Sequence, residues 1–112
     1  MILLKGRPKK IRKVKNVPGI RQFSPRGKPG RPDEVVLGID QLEAIRIADL
    51  EGQYHHLGAS SMGISRSSFG RILKTARKTI ATALVNGKII RIEGGIYEQS
   101  NEIKSRSSED SK

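Results

Sequence analysis

Ala59 to Leu73 reads A-S-S-M-G-I-S-R-S-S-F-G-R-I-L, the spacing of a helix-turn-helix. Ala59 is small where two helices must touch, and Gly63 stands where a tight turn needs positive φ. Ile64 then points back to the core, and Ser65 can cap the next helix through its hydroxyl. Phe69, Ile72 and Leu73 supply that helix's buried face. Its other face carries Arg66, Ser67, Ser68, Arg71 and Lys74, with no acid among them. A helix that is positive and small-sided on its outer face suits the major groove of DNA.

Downstream, Phe69, Ile72, Leu73, Ala76, Ile80, Ala83 and Leu84 fall on one helical stripe, which predicts a helix from Arg66 to about Val85. Arg77 and Lys78 extend its positive side, and Asn86-Gly87 is a C-terminal stop. Upstream, a helix is expected over Tyr54 to Met62; it holds Gly58 and must lean on tertiary packing. Before it, Asp40 reads as an N-cap with Glu43 as capping-box partner, and Gly52 ends that helix near Leu50–Glu51. Glu34 to Ile39 is a short β-prone run, and Lys88 to Ile92 is either a strand or an apolar tail folded on the core. Gly70, inside the recognition helix, marks a close approach to DNA, a close approach to a packed helix, or simple tolerance.

The five prolines all lie within Met1 to Pro32, along with Gly6, Gly19, Gly27 and Gly30. Proline blocks helix interiors and like charges repel, so an extended or disordered arm is expected, pinned by Val17, Ile20 and Phe23. Beyond Tyr97 the composition predicts disorder. The net charge is +11, from 22 basic and 11 acidic residues, and such a field attracts polyanions. It is unevenly spread: eleven bases and no acid up to Pro32, six acids against Arg46 from Asp33 to Ser61, then seven bases and no acid from Met62 to Ile92. The acidic block is expected to face away from a bound polyanion.

Other chemistries find little support. There is no cysteine, hence no disulfide framework or Cys-based zinc site, which fits a reducing cytosol and a cytoplasmic protein. No run of 18 apolar residues is present to span a membrane, and Met1-Ile2-Leu3-Leu4 is too short for a signal-peptide core. His55 and His56 point about 100° apart on a helix and cannot readily share a metal. The serines of the recognition helix lack a plausible base partner. The carboxylates of the N-terminal helix read as capping and surface groups, with Asp40 and Glu43 explained by capping, and no enzyme or cofactor is expected. Lys5 to Lys10, K-G-R-P-K-K, resembles an AT-hook core, although a non-specific basic arm is the simpler reading.

Three stretches carry a wider resemblance: D-Q-L-E-A-I-R-I-A-D-L-E-G (Asp40 to Gly52), M-G-I-S-R-S-S-F-G-R-I-L-K-T-A-R-K (Met62 to Lys78) and I-A-T-A-L-V-N-G-K-I-I-R-I-E-G-G (Ile80 to Gly95). Together they resemble the prokaryotic family called domain of unknown function 134, whose helix-turn-helix is similar to region 4 of bacterial sigma factors. The chain departs from the family pattern at Gln53 to Ala59, where Gly58 stands and the usual acids are missing. The resemblance spans roughly Arg7 to Gly95. It implies DNA binding, with the helix from Ser65 as the recognition helix. Some relatives carry a further cofactor-binding-like domain, for which this chain ends too early.

The expectation is therefore an all-α, three- to four-helix, sigma region 4-like domain over residues 34–95, with a basic arm (1–33) and a disordered tail (96–112). The expected DNA-binding residues are Ser65, Arg66, Ser67, Ser68, Arg71, Lys74, Arg77 and Lys78, with Arg7, Lys9 and Lys10 from the arm. Arg66 and Arg71 are the candidates for base edges or flanking phosphates, and Lys74, Arg77 and Lys78 for phosphates. Double-stranded DNA is the expected partner and transcriptional regulation the expected role. The alternatives are an RNA- or ribosome-associated protein and an RNA polymerase-interacting module. A homodimer edge at Ile89, Ile90 and Ile92 also stays open.

Overall fold

The computed structural model describes residues 10–27, 30 and 32–100. It corrects the all-α expectation: the chain is mixed α/β, with strands contributed by both segments that the composition marked as irregular. In chain order these are β1 (Arg12–Val14), β2 (Gln22–Phe23), β3 (Glu34–Leu37), α1 (Ile39–Ile45), α2 (His55–Met62), α3 (Arg66–Asn86), β4 (Ile89–Ile92) and β5 (Tyr97–Gln99). A π-helical turn over Arg46–Leu50 extends α1. No helix among the described residues is long and apolar enough to cross a membrane.

The strands make two sheets. In the larger, ordered β2-β4-β3, β4 is parallel to β3 and antiparallel to β2. A parallel pair needs a long crossover, and here the three helices are that crossover. The register sets Val35 beside Ile90 and Leu37 beside Ile92. These four side chains share a face of the sheet. Leu37, Ile92 and Ile90 pack there in a cluster with Ile39, Val14, Ala76 and Ile80. Because β4 lies between two strands, Ile89, Ile90 and Ile92 do not form the exposed edge suggested for a homodimer. The smaller sheet is β1 beside β5, parallel, with Arg12 opposite Tyr97. The disordered-tail expectation is thus corrected at Tyr97–Gln99, where Ser100 also donates its N–H to the Val14 carbonyl at 2.9 Å. The arm is corrected too: Val14 is fully buried and Val17 packs beside it, while Ile20 and Phe23, expected as pins, are exposed.

A second cluster lies under the helix-turn-helix: Ala44, Ile47, Ala59, Met62, Ile64, Phe69, Ile72 and Leu73. Gly58 is needed here. A Cβ at this position would sit 2.5 Å from Phe69 Cζ and 3.1 Å from Ile47 Cγ2, so the glycine makes room for the buried ring. The residue that weakens α2 locally is the one that lets it dock. Gly70 is different, since a Cβ there would meet nothing within 4 Å, which removes the packed-helix reading. Leu84 departs from the expected stripe. It is 74% exposed beside the 82% exposed Val85, because at the end of α3 only the Ala83 side is covered.

The start of α1 also differs from expectation. Gly38 is the N-cap, and Gln41 Oε1 accepts its N–H at 2.9 Å. Asp40 is not the N-cap and Glu43 not its capping-box partner; both are buried, and Asp40 Oδ1 accepts the Gln41 N–H at 2.9 Å within the first turn. Asp40 pairs with Arg12 at 3.3 Å, and Glu43 accepts the Lys15 N–H at 3.1 Å and two bonds from Arg46. The strand pairing of β1 brings Arg12 and Lys15 to α1, so carboxylates that local sequence assigns to capping become inter-element contacts.

Candidate nucleic-acid interface

Gly63 closes α2 in the left-handed conformation (φ 70°, ψ 31°), a region open to glycine without steric cost. Ser65 then caps α3, its Oγ accepting the Ser68 N–H at 3.1 Å. The Ser65 hydroxyl also donates to Ser68 Oγ at 3.0 Å, and Ser67 Oγ lies 3.3 Å from it. Arg71 joins this group one turn later, Nη2 donating to Ser68 Oγ at 3.3 Å. The start of α3 is therefore an ordered set of hydroxyls with a guanidinium beside it. Helix N-termini carry partial positive charge and unsatisfied N–H groups, which favour anions.

Charge pairing sorts the basic residues into two groups. Of the acids between Asp33 and Ser61, Glu34, Asp40, Glu43, Asp49 and Glu51 all form ion pairs, with Arg91, Arg12, Arg46, Arg77 and Arg46 respectively. The acidic block thus neutralises particular arginines across the fold. Arg77, expected at a phosphate, is held by Asp49 through bonds of 3.1 and 2.7 Å. That bond holds the Asp49 carboxyl below its ordinary 3.8 and raises the Arg77 guanidinium. Hydrogen bonding to Glu43 raises Arg46, and hydrogen bonding to Glu34 raises Arg91. Arg66, Arg71, Lys74 and Lys78 carry no ion pair among the described residues, and all four are exposed on α3.

A cleft of about 920 Å3 separates β1 from the start of α3. Ser65, Ser67, Ser68 and Arg71 line one side and Lys10 and Arg12 the other, so α3 and the arm meet at one place. Lys74 and Lys78 lie instead along a smaller groove of about 320 Å3 with Val35 and Thr82. Arg66 lines neither. Arg7, Lys9 and most of the AT-hook-like run fall outside the described residues. Arg12 is the cleft residue that sequence reasoning missed. It read as one more base in a Lys-rich arm, and nothing local signals that β1 buries it. The histidines take up ring contacts, His55 edge-on to Phe69 at 5.4 Å and His56 stacked with Tyr54 at 6.0 Å. No group of three His, Cys, Asp or Glu that could hold a metal occurs among the described residues.

The family described as "Protein of unknown function DUF134" matches residues 1–100, a span that takes in every strand and helix described above. The chain belongs to the DUF134 family. Among DUF134-like relatives, a UPF0251 protein of Chlorobaculum tepidum is 54% identical over 91 residues, covering 80% of this chain and 60% of its own. A UPF0251 protein of Prosthecochloris aestuarii is 46% identical over 98 residues, covering 87% of this chain and 63% of its own. A UPF0251 protein of Methanococcus vannielii, 47% identical over 95 residues, covers 84% and 73%. The chain thus spans about three fifths of the length of the first two relatives. No solved structure matches it.

Proposed function

We propose that this DUF134 chain is a DNA-binding protein, a transcriptional regulator that reads the major groove with the N-terminal half of α3. The observation that carries this reading is the unpaired positive face of α3, which begins directly after a glycine turn and a serine cap. Ser65, Ser67 and Ser68 are small enough for the helix start to approach base edges closely. Arg71, oriented by Ser68, is the base-reading candidate. Arg66 lies at the entry to the groove, and Lys74 and Lys78, further along the helix, suit flanking phosphates. Arg77 contributes least, because contact with DNA would first break its pair with Asp49.

Site selection from a random duplex pool, followed by affinity measurements on the selected site and on random sequence, tests this directly. Arg71→Ala should cost about 1–3 kcal/mol on the selected site and much less on random DNA. Equal losses on both would remove the base-reading role. Competition with structured RNA at physiological salt provides the other arm, and preference for RNA would overturn the duplex reading.

A further inference from the structure

The cleft between β1 and α3 holds a feature that the α3 face does not explain. Arg12 lines it, is 9% exposed, and keeps a buried Nε–H with no hydrogen-bond partner among the described residues. A buried unsatisfied donor on a cation is costly, so such groups are rare unless something supplies the acceptor. One end of the guanidinium is fixed, Nη1 donating to Asp40 Oδ2 at 3.3 Å. Asp40 is itself held by the Gln41 N–H at 2.9 Å and the Ile96 N–H at 3.5 Å. Gly38 and Gly95 close around it, since a Cβ on either would collide with Asp40 Oδ1. The one carboxylate in the cleft lining is thus already matched by donors. The other polar groups there include the cations Lys10, Arg12 and Arg71 and the hydroxyls of Ser65, Ser67 and Ser68.

We propose that this cleft seats one phosphate group of the DNA backbone, gripped by Arg12 from the arm and by Ser67 and Ser68 from α3, with Arg71 beside it left to the base edges. Asp40 is the positioning residue, acting through Arg12. The assignment rests on the DNA-binding reading above and adds a residue from outside the helix-turn-helix. A phosphate oxygen in the cleft would supply the acceptor that the Arg12 guanidinium lacks while Asp40 holds its Nη1. A phosphate contact is indifferent to base sequence. Arg12 and Arg71 therefore separate by role: one sets affinity on every sequence, the other discriminates.

The test compares the salt dependence of binding to a random-sequence duplex for the wild type and Arg12→Gln. Losing one neutralised phosphate should flatten the log–log slope by about 0.9, a roughly threefold change in the ratio of the two affinities over a fourfold range of salt. Should Arg12→Gln fail to fold, Arg12→Gln/Asp40→Asn, which removes both charges and keeps a neutral pair, replaces it. Alongside, titration of the free protein with inorganic phosphate should move the NMR signals of the Arg12 Nε–H and of the Ser67 and Ser68 amides. An unchanged slope in a folded variant overturns the proposal. If inorganic phosphate moves those signals while the slope stays fixed, the cleft belongs to a small phosphorylated ligand and the backbone assignment is overturned. Failure of the wild type to bind duplex at all sinks the DNA-binding reading itself. Loss of discrimination in Arg71→Ala with an unchanged slope in Arg12→Gln sinks only the phosphate seat.

Discussion

The two core clusters are built from the chain in opposite ways. The helix-turn-helix cluster takes all its buried residues from Ala44 to Leu73, one continuous segment. The sheet-side cluster gathers Val14, Leu37 with Ile39, Ala76 and Ile92 from four separate places. Apart from the two pairs made by Arg46, the ion pairs follow the second pattern: Arg12–Asp40, Arg77–Asp49 and Arg91–Glu34 join residues far apart in sequence. A local core is held by packing that helical periodicity already announces. A gathered core depends on strand pairing, and its charges find partners only after the chain has closed. The basic face of α3 that carries no ion pair among the described residues is what remains when that pairing is complete.

The largest effect should come from the local core. Phe69→Ala removes a fully buried ring and should cost about 3–5 kcal/mol in denaturant unfolding. The companion change Gly58→Ala gains helix propensity of about 1 kcal/mol but overpacks the same ring, so a net loss of about 1–2 kcal/mol is expected. In a Phe69→Leu background that loss should shrink, and strict additivity of the two changes would mean that the ring is not what Gly58 accommodates.

The gathered core should respond next. Asp40→Ala leaves Arg12 buried without its partner and should destabilise by about 3 kcal/mol. Hydrogen exchange would sharpen the comparison, because the loss should open β1 and β5 before α2 and α3. Uniform deprotection across both clusters would show instead that the two halves unfold as one unit.

The smallest effect belongs to the exposed Asp49–Arg77 pair. Asp49 titrates below 3.8 in the folded chain, so its contribution is fully present above that value. It fades as pH falls through the lower folded value, since protonation breaks the bond. Asp49→Asn should therefore change stability at neutral pH by no more than about 1 kcal/mol and remove only a shallow acid-side dependence. If DNA affinity rises in this variant, Arg77 has joined the phosphate-contacting set. Unchanged affinity leaves Arg77 as a structural cation.

Residues Asp40 to Asn86 were legible because each helix carries its own evidence. The Gly63 turn, the Ser65 cap and the Phe69–Ile72–Leu73 spacing are local, and the structure follows them closely. The small strands were not legible for an equally physical reason. R-K-V at β1 and Y-E-Q at β5 have no alternation to speak of, and each is a strand only because it pairs with the other. The same limit hid the roles of Asp40 and Glu43. A carboxylate near a helix start reads as a cap unless an arginine arrives from 28 residues away, as Arg12 does.

For the candidate interface, sequence by itself determined which helix presents the basic face and where that helix starts, because turn, cap and periodicity act within a few residues. Tertiary structure decided which charges on that face remain available. Asp49 occupies Arg77, while Arg71 lines a cleft whose lining also includes Arg12, paired with Asp40. Charge pairing depends on distance in space, and the strand pairing that sets those distances joins segments whose local sequences do not encode it.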